Sequence, residues 1–357
     1  MELKVKTKER EYPIQFKEDF SALRQALEEA GLGGRKVFVV TDSHVAALYG
    51  SQVEAQLGDA YGGCVAFPAG EDQKNLQTIT TFYDAFLAAH MDRKSVVVAL
   101  GGGVPGDMAG FAAATFQRGI PFFQVPTTLL AQVDSSVGGK VGVDYRGHKN
   151  MVGAFYQPHF VYINLKTLKT LPAREFAAGM AEVVKYGLIW DEAFFTFLEE
   201  QKEAILAQEE APLTQMLYHC CRIKAEVVSQ DEKEGGLREV LNFGHTIGHA
   251  VETEKHFALL HGECVALGSR AILALCEKEG RISAKDRQRA EALFDFFGLP
   301  KTVDGLSAEQ VYEQMFFDKK VRNGVIQFVL LQGIGRAERT SQVGRDEVIS
   351  AIKTILE

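Results

Sequence analysis

Short, largely apolar runs in the first half of the chain constrain its fold more than any other feature. Five of them occur, at residues 36–40, 64–67, 95–100, 122–125 and 160–165. The run at 95–100 is apolar at successive positions, which is typical of a strand buried on both faces of a parallel sheet. Helical spacing separates the runs, as at residues 76–89. This alternation predicts an open, mostly parallel, Rossmann-like α/β sheet with right-handed crossovers.

The sequence pattern changes near Pro172. Helical periodicity dominates residues 174–279 and returns at 284–297, 308–315 and 347–356. A strand pattern at 325–331 follows Asn323 and Gly324, a strong hairpin signal, so we expect this strand to pair with the residues before them. Two domains are therefore predicted, an α/β domain at 1–172 and a mainly α-helical domain at 173–357.

Composition excludes several classes of protein. Hydrophobic residues make up 46% and charged residues 24% of the 357 residues, which is typical of a globular chain. No apolar run approaches the roughly 20 residues that a membrane-spanning helix needs, and the N-terminus lacks a secretion signal. A net charge of −8 argues against nucleic-acid binding. The five cysteines form no CxxC pair, so we expect reduced thiols and a cytoplasmic protein.

Three histidines and a glutamate form a candidate metal site. His245 and His249 are four residues apart, so a helix would place both rings on one face. His261 begins the next apolar run, and Glu182 lies upstream. Two neutral imidazoles and a carboxylate are a common catalytic zinc set that leaves one coordination position open. The same histidine spacing also occurs in solvated or hydrogen-bonded pairs, but the surrounding glycines, lysines and asparagine favour a metal site.

A glycine-rich turn follows the buried strand at 95–100. Residues 101–107 read Gly-Gly-Gly-Val-Pro-Gly-Asp and precede an apolar helix at 108–116. Glycines let a backbone approach a phosphate closely, and a helix N-terminus offers unpaired N–H groups. Asp42 follows another strand, where a carboxylate either binds ribose hydroxyls or caps a helix. Further polar turns at 126–128 and 134–150 favour a dinucleotide site at this sheet edge.

Several longer motifs point to one family. They stand at residues 101–103, 118–121, 124–140, 149–150, 167–172, 181–187, 242–250, 261–263 and 318–320. In this order they closely resemble the motifs of the 3-dehydroquinate synthases, which are sugar-phosphate cyclases. The resemblance spans nearly the whole chain, and its two long motifs are highly specific.

The resemblance implies a fold and an activity. The fold is dehydroquinate synthase-like, with an α/β NAD-binding domain and a helical domain that binds metal and substrate, as in glycerol dehydrogenase-like enzymes. The reaction converts 3-deoxy-D-arabino-heptulosonate 7-phosphate (DAHP) into 3-dehydroquinate and phosphate in the shikimate pathway. NAD is consumed and regenerated within one turnover, the divalent metal is zinc or cobalt, and the enzyme is a homodimer.

Transferred position by position, the resemblance implies Glu182, His245 and His261 as metal ligands, so that His249 becomes a substrate contact. The implied substrate contacts are Lys140, Asn150, Lys185, Lys224, Arg238, Asn242, His249, Arg118 and Lys319. Among them, Lys140, Asn150 and Arg118 would meet the phosphate, with Arg118 reaching the neighbouring subunit's site. Lys320 fits the motif as well as Lys319 does. The implied NAD contacts are Asp42, Glu71, Lys74, Gly102, Gly103, Val104, Pro105, Gly106, Asp107, Thr127, Thr128, Asp134, Lys140, Lys149, Thr167, Leu168, Lys169 and Thr170.

Two departures and three alternatives accompany the resemblance. Pro105 stands where the family has a small or β-branched residue, and proline has no N–H to donate. Asp72 and Gln73 replace a more usual Gln-Tyr pair. One alternative is a sugar-phosphate cyclase of secondary metabolism, and another is an NAD- and metal-dependent polyol dehydrogenase. The third is a catalytically silent binding protein, which would have no need for the complete set of metal ligands.

Overall fold

The computed structural model describes residues 1–317 and 326–357, and the chain divides into two compact units. The first unit consists of Met1–Leu171 and Lys224–Lys233, and the second of Pro172–Ile223 and Glu234–Glu357. The long segment of the first unit ends at Leu171, whereas a ten-residue segment returns to that unit later in the chain. The assignment of NAD binding to residues 1–172 and of metal and substrate binding to residues 173–357 stays a prediction, because the division into compact units does not identify what each unit binds.

A seven-stranded sheet organises the first unit. Its strand order is β1-β2-β9-β6-β5-β3-β4, and every pairing is parallel except that of β1 with β2. A separate antiparallel hairpin joins β7 and β8. The strands of this unit are β1 (Glu2–Lys6), β2 (Glu11–Lys17), β3 (Val37–Asp42), β4 (Tyr61–Phe67), β5 (Val96–Gly101), β6 (Phe122–Pro126), β7 (Lys140–Tyr145), β8 (His148–Phe155) and β9 (Val161–Asn164). The five predicted strands are all present, and the predicted α/β class with a mainly parallel sheet is confirmed.

Alternate residues of the central strands face two separate hydrophobic cores. On β3, Phe38 and Val40 pack into one core with α4 and α5, while Val37 and Val39 pack into the other with α1 and α3. This double burial explains why the central strands are continuously apolar. The helices of the unit are α1 (Leu23–Glu29), α2 (Ser43–Val45), α3 (Ser51–Leu57), α4 (Leu76–Ala88) and α5 (Gly103–Thr115).

Helices dominate the second unit, as predicted. They are α6 (Ala173–Trp190), α7 (Glu192–Leu206), α8 (Glu210–Gln230), α9 (His245–Glu254), α10 (His261–Lys278), α11 (Ala284–Phe296), α12 (Ala308–Gln314) and α13 (Arg345–Lys353). The last residues of α8 belong to the first unit. Of the helices within 1–317 and 326–357, none is long and apolar enough to cross a bilayer.

The structure describes a hairpin that lies downstream of the predicted one. Strand β10 (Phe328–Leu331) pairs antiparallel with the downstream strand β11 (Ala337–Thr340). The residues just before Asn323, with which we predicted pairing, lie outside the described residues. Gly333 and Gly335 lie between the two strands with φ values of 109° and 81°, which only glycine adopts readily, and they form the turn. Asn323 and Gly324 lie outside the described residues.

Candidate active site

Three helices of the second unit carry the predicted metal ligands. Glu182 lies in the middle of α6, and its side chain is fully buried. His245 and His261 are the first residues of α9 and α10, and His249 follows His245 by one turn. The chain enters α9 through Gly244, whose left-handed φ of 75° suits glycine. Rigid helix starts therefore hold both histidines that the resemblance implies as ligands.

Glycines bring these helices into backbone contact. A Cβ at Gly262 on α10 would collide with the carbonyl oxygen of Ala178 on α6, and a Cβ at Gly268 would collide with the carbonyl oxygen of Gly244. At Gly248 on α9, a Cβ would come within 2.7 Å of a backbone oxygen of α10. Because no side chain separates these backbones, polar groups from all three helices can reach one small volume.

The distances between the donor atoms fit a divalent metal. The Oε1 atom of Glu182 is 3.4 Å from Nε2 of His245 and 3.6 Å from Nε2 of His261. Tetrahedral zinc with bonds of about 2.0–2.2 Å separates its ligand atoms by about 3.3–3.6 Å. One donor atom each from His245, His249 and His261 also lie within 4.8 Å of one another. The residues present therefore fit the predicted metal, and the distances permit His249 as well as Glu182 in the set.

Two buried carboxylates act on the ring of His261. Burial would lower the pKa of His261, but hydrogen-bonding contacts with Glu182 and Glu252 outweigh burial and raise this pKa to about 9. Glu252 lies on α9, with Oε2 3.7 Å from Nδ1 of His261. Since a raised pKa keeps a proton on the ring at neutral pH, a metal that binds His261 must displace that proton.

Two buried cations and an amide of the second unit lie on α6 and on a 3₁₀ helix that packs against it. Lys185 follows Glu182 by one turn of α6, is 1% exposed and forms an ion pair with it. Arg238 is 2% exposed, and Asn242 donates weakly to Glu234 at 3.5 Å. Both belong to the 3₁₀ helix Leu237–Asn242, which packs against α6. Lys185 already has Glu182 as its partner, and Arg238 and Asn242 add N–H donors of the kind that bind carboxylates.

The glycine turn of the first unit connects β5 to α5. Gly101 has a φ of 148°, and a Cβ there would lie 2.6 Å from Cγ of Pro105. A Cβ at Gly102 would lie 3.0 Å from the methyl group of Thr128. The first helical bond runs from Gly106 N–H to the Gly102 carbonyl at 3.1 Å. Pro105 is the third residue of α5, where an N–H has no intrahelical acceptor, so the proline costs the helix no hydrogen bond.

Four of the predicted NAD contacts form one charged cluster. Lys74 Nζ donates to Asp107 Oδ2 at 2.7 Å, and Glu71 Oε1 is 3.9 Å from Lys74 and 3.6 Å from Lys149. Burial would lower the pKa of Lys74, but the charges of Asp107 and Glu71 outweigh burial and raise it. Burial also raises the pKa of Asp107, against the opposing charge of Lys74. Lys74 is thus held protonated between two carboxyl groups.

Other predicted NAD residues make hydrogen bonds within the fold. Asp42 Oδ1 accepts two backbone N–H groups at 2.9 Å and caps α2, so the helix-cap interpretation is confirmed and the ribose contact stays a prediction. Gln132 donates to the Thr167 hydroxyl at 3.0 Å, and Tyr49 bonds the Thr170 hydroxyl. The remaining residues lie at the start of α5, after β6 or in the 3₁₀ helix Leu165–Thr170: Gly103, Val104, Thr127, Thr128, Leu168 and Lys169.

The predicted phosphate contacts lie on the hairpin and on a nearby turn of the first unit. Lys140 begins β7 and Asn150 lies in β8; both are exposed. Asn150 has a left-handed φ of 53°, and its N–H donates to Asp144 at 2.7 Å. Arg118 is exposed after α5, with a φ of 70°. Lys319 and Lys320 lie outside the described residues.

The structure reveals two features that we did not predict. Lys224, expected to contact substrate, belongs to the first unit and donates to the carboxylate of Asp134 at 2.8 Å, beside predicted NAD contacts. No local pattern indicates this pair, since 90 residues separate its members. Glu252 beside His261 does have a signal, because it follows His249 by three residues on the same helix face.

Two cavities elsewhere in the first unit contain no predicted site residue. One, of about 280 Å³, is lined by residues such as Arg24, Lys36 and Asp59, and the other, of about 600 Å³, by Arg10, Gln15 and His159. Both have mixed charges, and neither gathers metal-ligating groups. The candidate site is therefore defined by its donor atoms and not by a cavity.

Comparison with known proteins places the chain in a family. Residues 64–178 match the 3-dehydroquinate synthase N-terminal model, and residues 179–321 match the C-terminal model. A 3-dehydroquinate synthase of Acetivibrio thermocellus is 48% identical over 332 residues, which are 92% of this chain and 92% of that protein.

Solved structures with the same fold include two sugar-phosphate cyclases. The 2-epi-5-epi-valiolone synthase of Streptomyces hygroscopicus subsp. jinggangensis, with NAD⁺ and Zn²⁺ bound, is 28% identical with a TM-score of 0.90, covering 98% of both chains. A 2-deoxy-scyllo-inosose synthase complexed with carbaglucose-6-phosphate, NAD⁺ and Co²⁺ is 26% identical with a TM-score of 0.87, covering 99% of both chains. With both family models matched in chain order and nearly half of all aligned residues shared with a member, the chain belongs to the 3-dehydroquinate synthase family.

Proposed function

We propose that this protein converts DAHP into 3-dehydroquinate and phosphate, as a lyase of the shikimate pathway. The observation that carries the proposal is the arrangement of Glu182, His245 and His261, with donor atoms 3.4 and 3.6 Å apart, in a chain of this family. Secondary-metabolism cyclases share the fold, but the identity to those two structures is 28% and 26%, against 48% to the synthase.

The proposed cofactors divide the chemistry between them. When bound, NAD would supply the oxidation of C5 to a ketone, by accepting the hydride of the C5 carbon, and the later reduction of that ketone, while the metal would acidify the C5 hydroxyl that loses its proton. Glu182, His245 and His261 would hold zinc or cobalt. Since phosphate elimination needs an acidic proton at C6, the transient C5 ketone is what makes the leaving step possible.

The chain's own side chains bind and orient an anionic substrate. Lys185, Arg238 and Asn242 of the second unit would neutralise and position the carboxylate and ring hydroxyls, because charge-assisted hydrogen bonds are strong in buried sites. His249 would contact substrate, since Glu182 completes the metal set. Lys224, whose ammonium group donates to Asp134, would also contact the substrate. Holding one flexible substrate through several steps is mainly a positioning task.

We further propose a homodimer located in the cytoplasm. Lys140 and Asn150 would bind the substrate phosphate together with Arg118 from a neighbouring subunit. Arg118 is exposed after α5, which supports the proposal that it contacts a neighbouring subunit. All five cysteines are free thiols, which supports a reducing compartment.

Phosphate release from DAHP tests the proposed function. We expect release by the purified protein with NAD and zinc, no release after strong chelation, and recovery with zinc or cobalt. Free NADH should not accumulate, whereas a polyol dehydrogenase would produce it. A panel with other sugar phosphates separates DAHP from the substrates of secondary-metabolism cyclases. Full activity of protein that elemental analysis proves metal-free would refute the metal assignment.

Lys185→Ala and Arg238→Ala should each lower kcat/KM for DAHP by roughly tenfold to a hundredfold. A hydrogen bond to a charged group contributes about 1.5–3 kcal/mol, which corresponds to this range. NAD affinity, measured by calorimetry on zinc-loaded protein, should barely change. The control is Lys353→Ala, which removes an exposed lysine of the same unit. If NAD affinity falls as far as substrate affinity, these side chains serve the nucleotide instead.

A further inference from the structure

Glu252 is a buried carboxylate on the helix face that carries the histidines. It follows His245 by seven residues and His249 by three, so all three side chains share one stripe of α9. The side chain of Glu252 is only 4% exposed. Burying a carboxylate costs free energy unless the carboxylate is paired. The position of Glu252 beside His261 is therefore consistent with a pairing between the two side chains.

Each of the two histidines implied as ligands is approached by an acceptor at both ring nitrogens. In His245, Nε2 is 3.4 Å from Glu182 Oε1, and Nδ1 is 3.0 Å from the backbone carbonyl of Phe243. In His261, Nε2 is 3.6 Å from the same Glu182 oxygen, and Nδ1 is 3.7 Å from Glu252 Oε2. The two rings therefore have the same orientation: Nε2 points toward the shared carboxylate of Glu182, and Nδ1 points toward a second acceptor.

The acceptor at Nδ1 decides which nitrogen is available to a metal. A histidine that donates its Nδ1–H keeps the lone pair of Nε2 for coordination, and the acceptor also fixes the ring's rotation. A backbone carbonyl does this for His245. For His261 the acceptor is a charged side chain, which also makes the imidazole a stronger ligand.

We propose that Glu252 is a positioning residue of the metal site, which accepts the Nδ1–H of His261 and orients Nε2 toward the metal. The inference rests on the proposed metal-dependent function. At 3.7 Å the two atoms are at ion-pair distance, whereas a direct hydrogen bond is about 2.7–3.2 Å. The structure thus shows an ion pair at this position, and the direct hydrogen bond to the metal-bound ring is part of the proposal.

Zinc affinity, measured by chelator competition without substrate, tests this role. Glu252→Gln removes the charge, and Glu252→Asp keeps the charge but withdraws it from the ring. Both variants should bind zinc about 10–100-fold more weakly than the wild type, the usual cost of losing a partner of a metal ligand. Glu254→Gln, the same chemical change two residues away on α9, should stay within about twofold of the wild type.

A second substitution separates positioning through His261 from a general effect of charge. In a His261→Ala background, Glu252→Gln should cause little further loss of zinc affinity, because the ring that it orients is gone. An equally large loss in both backgrounds would overturn the proposal. So would folded Glu252→Gln and Glu252→Asp proteins that bind zinc like the wild type, although the proposed function would survive that result.

The wild-type protein gives a test that does not depend on the folding of any variant. Nitrogen-15 NMR of the histidine rings in the zinc-loaded protein should place the metal on Nε2 of His261 and a proton on Nδ1. Coordination through Nδ1 would overturn the role of Glu252. If the wild type binds neither zinc nor cobalt, both the inference and the proposed function fail.

Discussion

His261→Ala should purify without its metal, whereas His249→Ala should keep the metal and lose turnover. Removing a ligand deletes a coordination bond, so the loss of metal affinity should exceed the roughly 10–100-fold cost of losing a partner of a ligand. The two histidines have donor atoms within 4.8 Å of each other, and the distances alone do not distinguish their roles. Elemental analysis of the purified variants, beside phosphate release from DAHP, separates metal content from turnover.

The outcome also decides what completes the metal set. If both variants lose metal equally, His249 is a ligand, and the substrate-contact role that the family resemblance implies for it is wrong. Glu182→Gln then provides the cross-check, since it leaves the shape of the buried side chain nearly unchanged but removes its charge. Metal retention in Glu182→Gln together with loss in His249→Ala would establish a three-histidine site.

Gly268→Ala should destabilise the second unit severely. The added methyl group would collide with the carbonyl oxygen of Gly244, which belongs to the backbone and cannot rotate away as a side chain can. Overpacking commonly costs about 1–3 kcal/mol, and we expect at least the upper end of that range because two helix backbones must separate. The shift also displaces His245, so metal affinity should fall together with Tm. Calorimetric unfolding with and without zinc measures both effects.

Gly50→Ala is the matched control for this substitution. Gly50 has a helical φ of −51° and no atom within 4 Å of the position of an added Cβ. Alanine is favoured over glycine in helices by up to about 1 kcal/mol, so Tm should stay the same or rise slightly. A Gly268→Ala protein as stable as Gly50→Ala would mean that α9 and α10 are not locked together at Gly244.

Local patterns in the sequence predict much of the sheet but miss its first strands. The continuously apolar run of β5 is recognisable because both of its faces are buried. By contrast, β1 has charged residues at positions 2, 4 and 6 because it forms the edge of the sheet, and β2 contains Pro13 and a charged residue at each end, so neither resembles a continuously apolar strand. The exposed face of β8, which includes Met151, Gly153 and Phe155, hides its strand character in the same way.

Candidate site residues were predictable where chemistry depends on spacing along one helix. The His245 and His249 pair and its helix follow directly from a separation of four residues. Long-range partners were not predictable, since the pairing of Lys224 with Asp134 depends on how distant segments fold together. Glu182 was a candidate by residue type alone, and the family resemblance is what implied it as a ligand, because it stands 63 positions before His245 with no local motif that marks it.

The return of residues Lys224–Lys233 to the first unit limits how this gene can be divided. Glu232 in that segment accepts hydrogen bonds from Gln157 at 2.8 Å and from the backbone of Lys8 at 3.0 Å, and Lys224 binds Asp134. A protein cut after residue 171 would lose all of these contacts and leave the buried side chain of Gln157 facing water. The two halves are therefore not interchangeable modules: recombination at that point would exchange incomplete pieces, and both units must be inherited, and must evolve, as one.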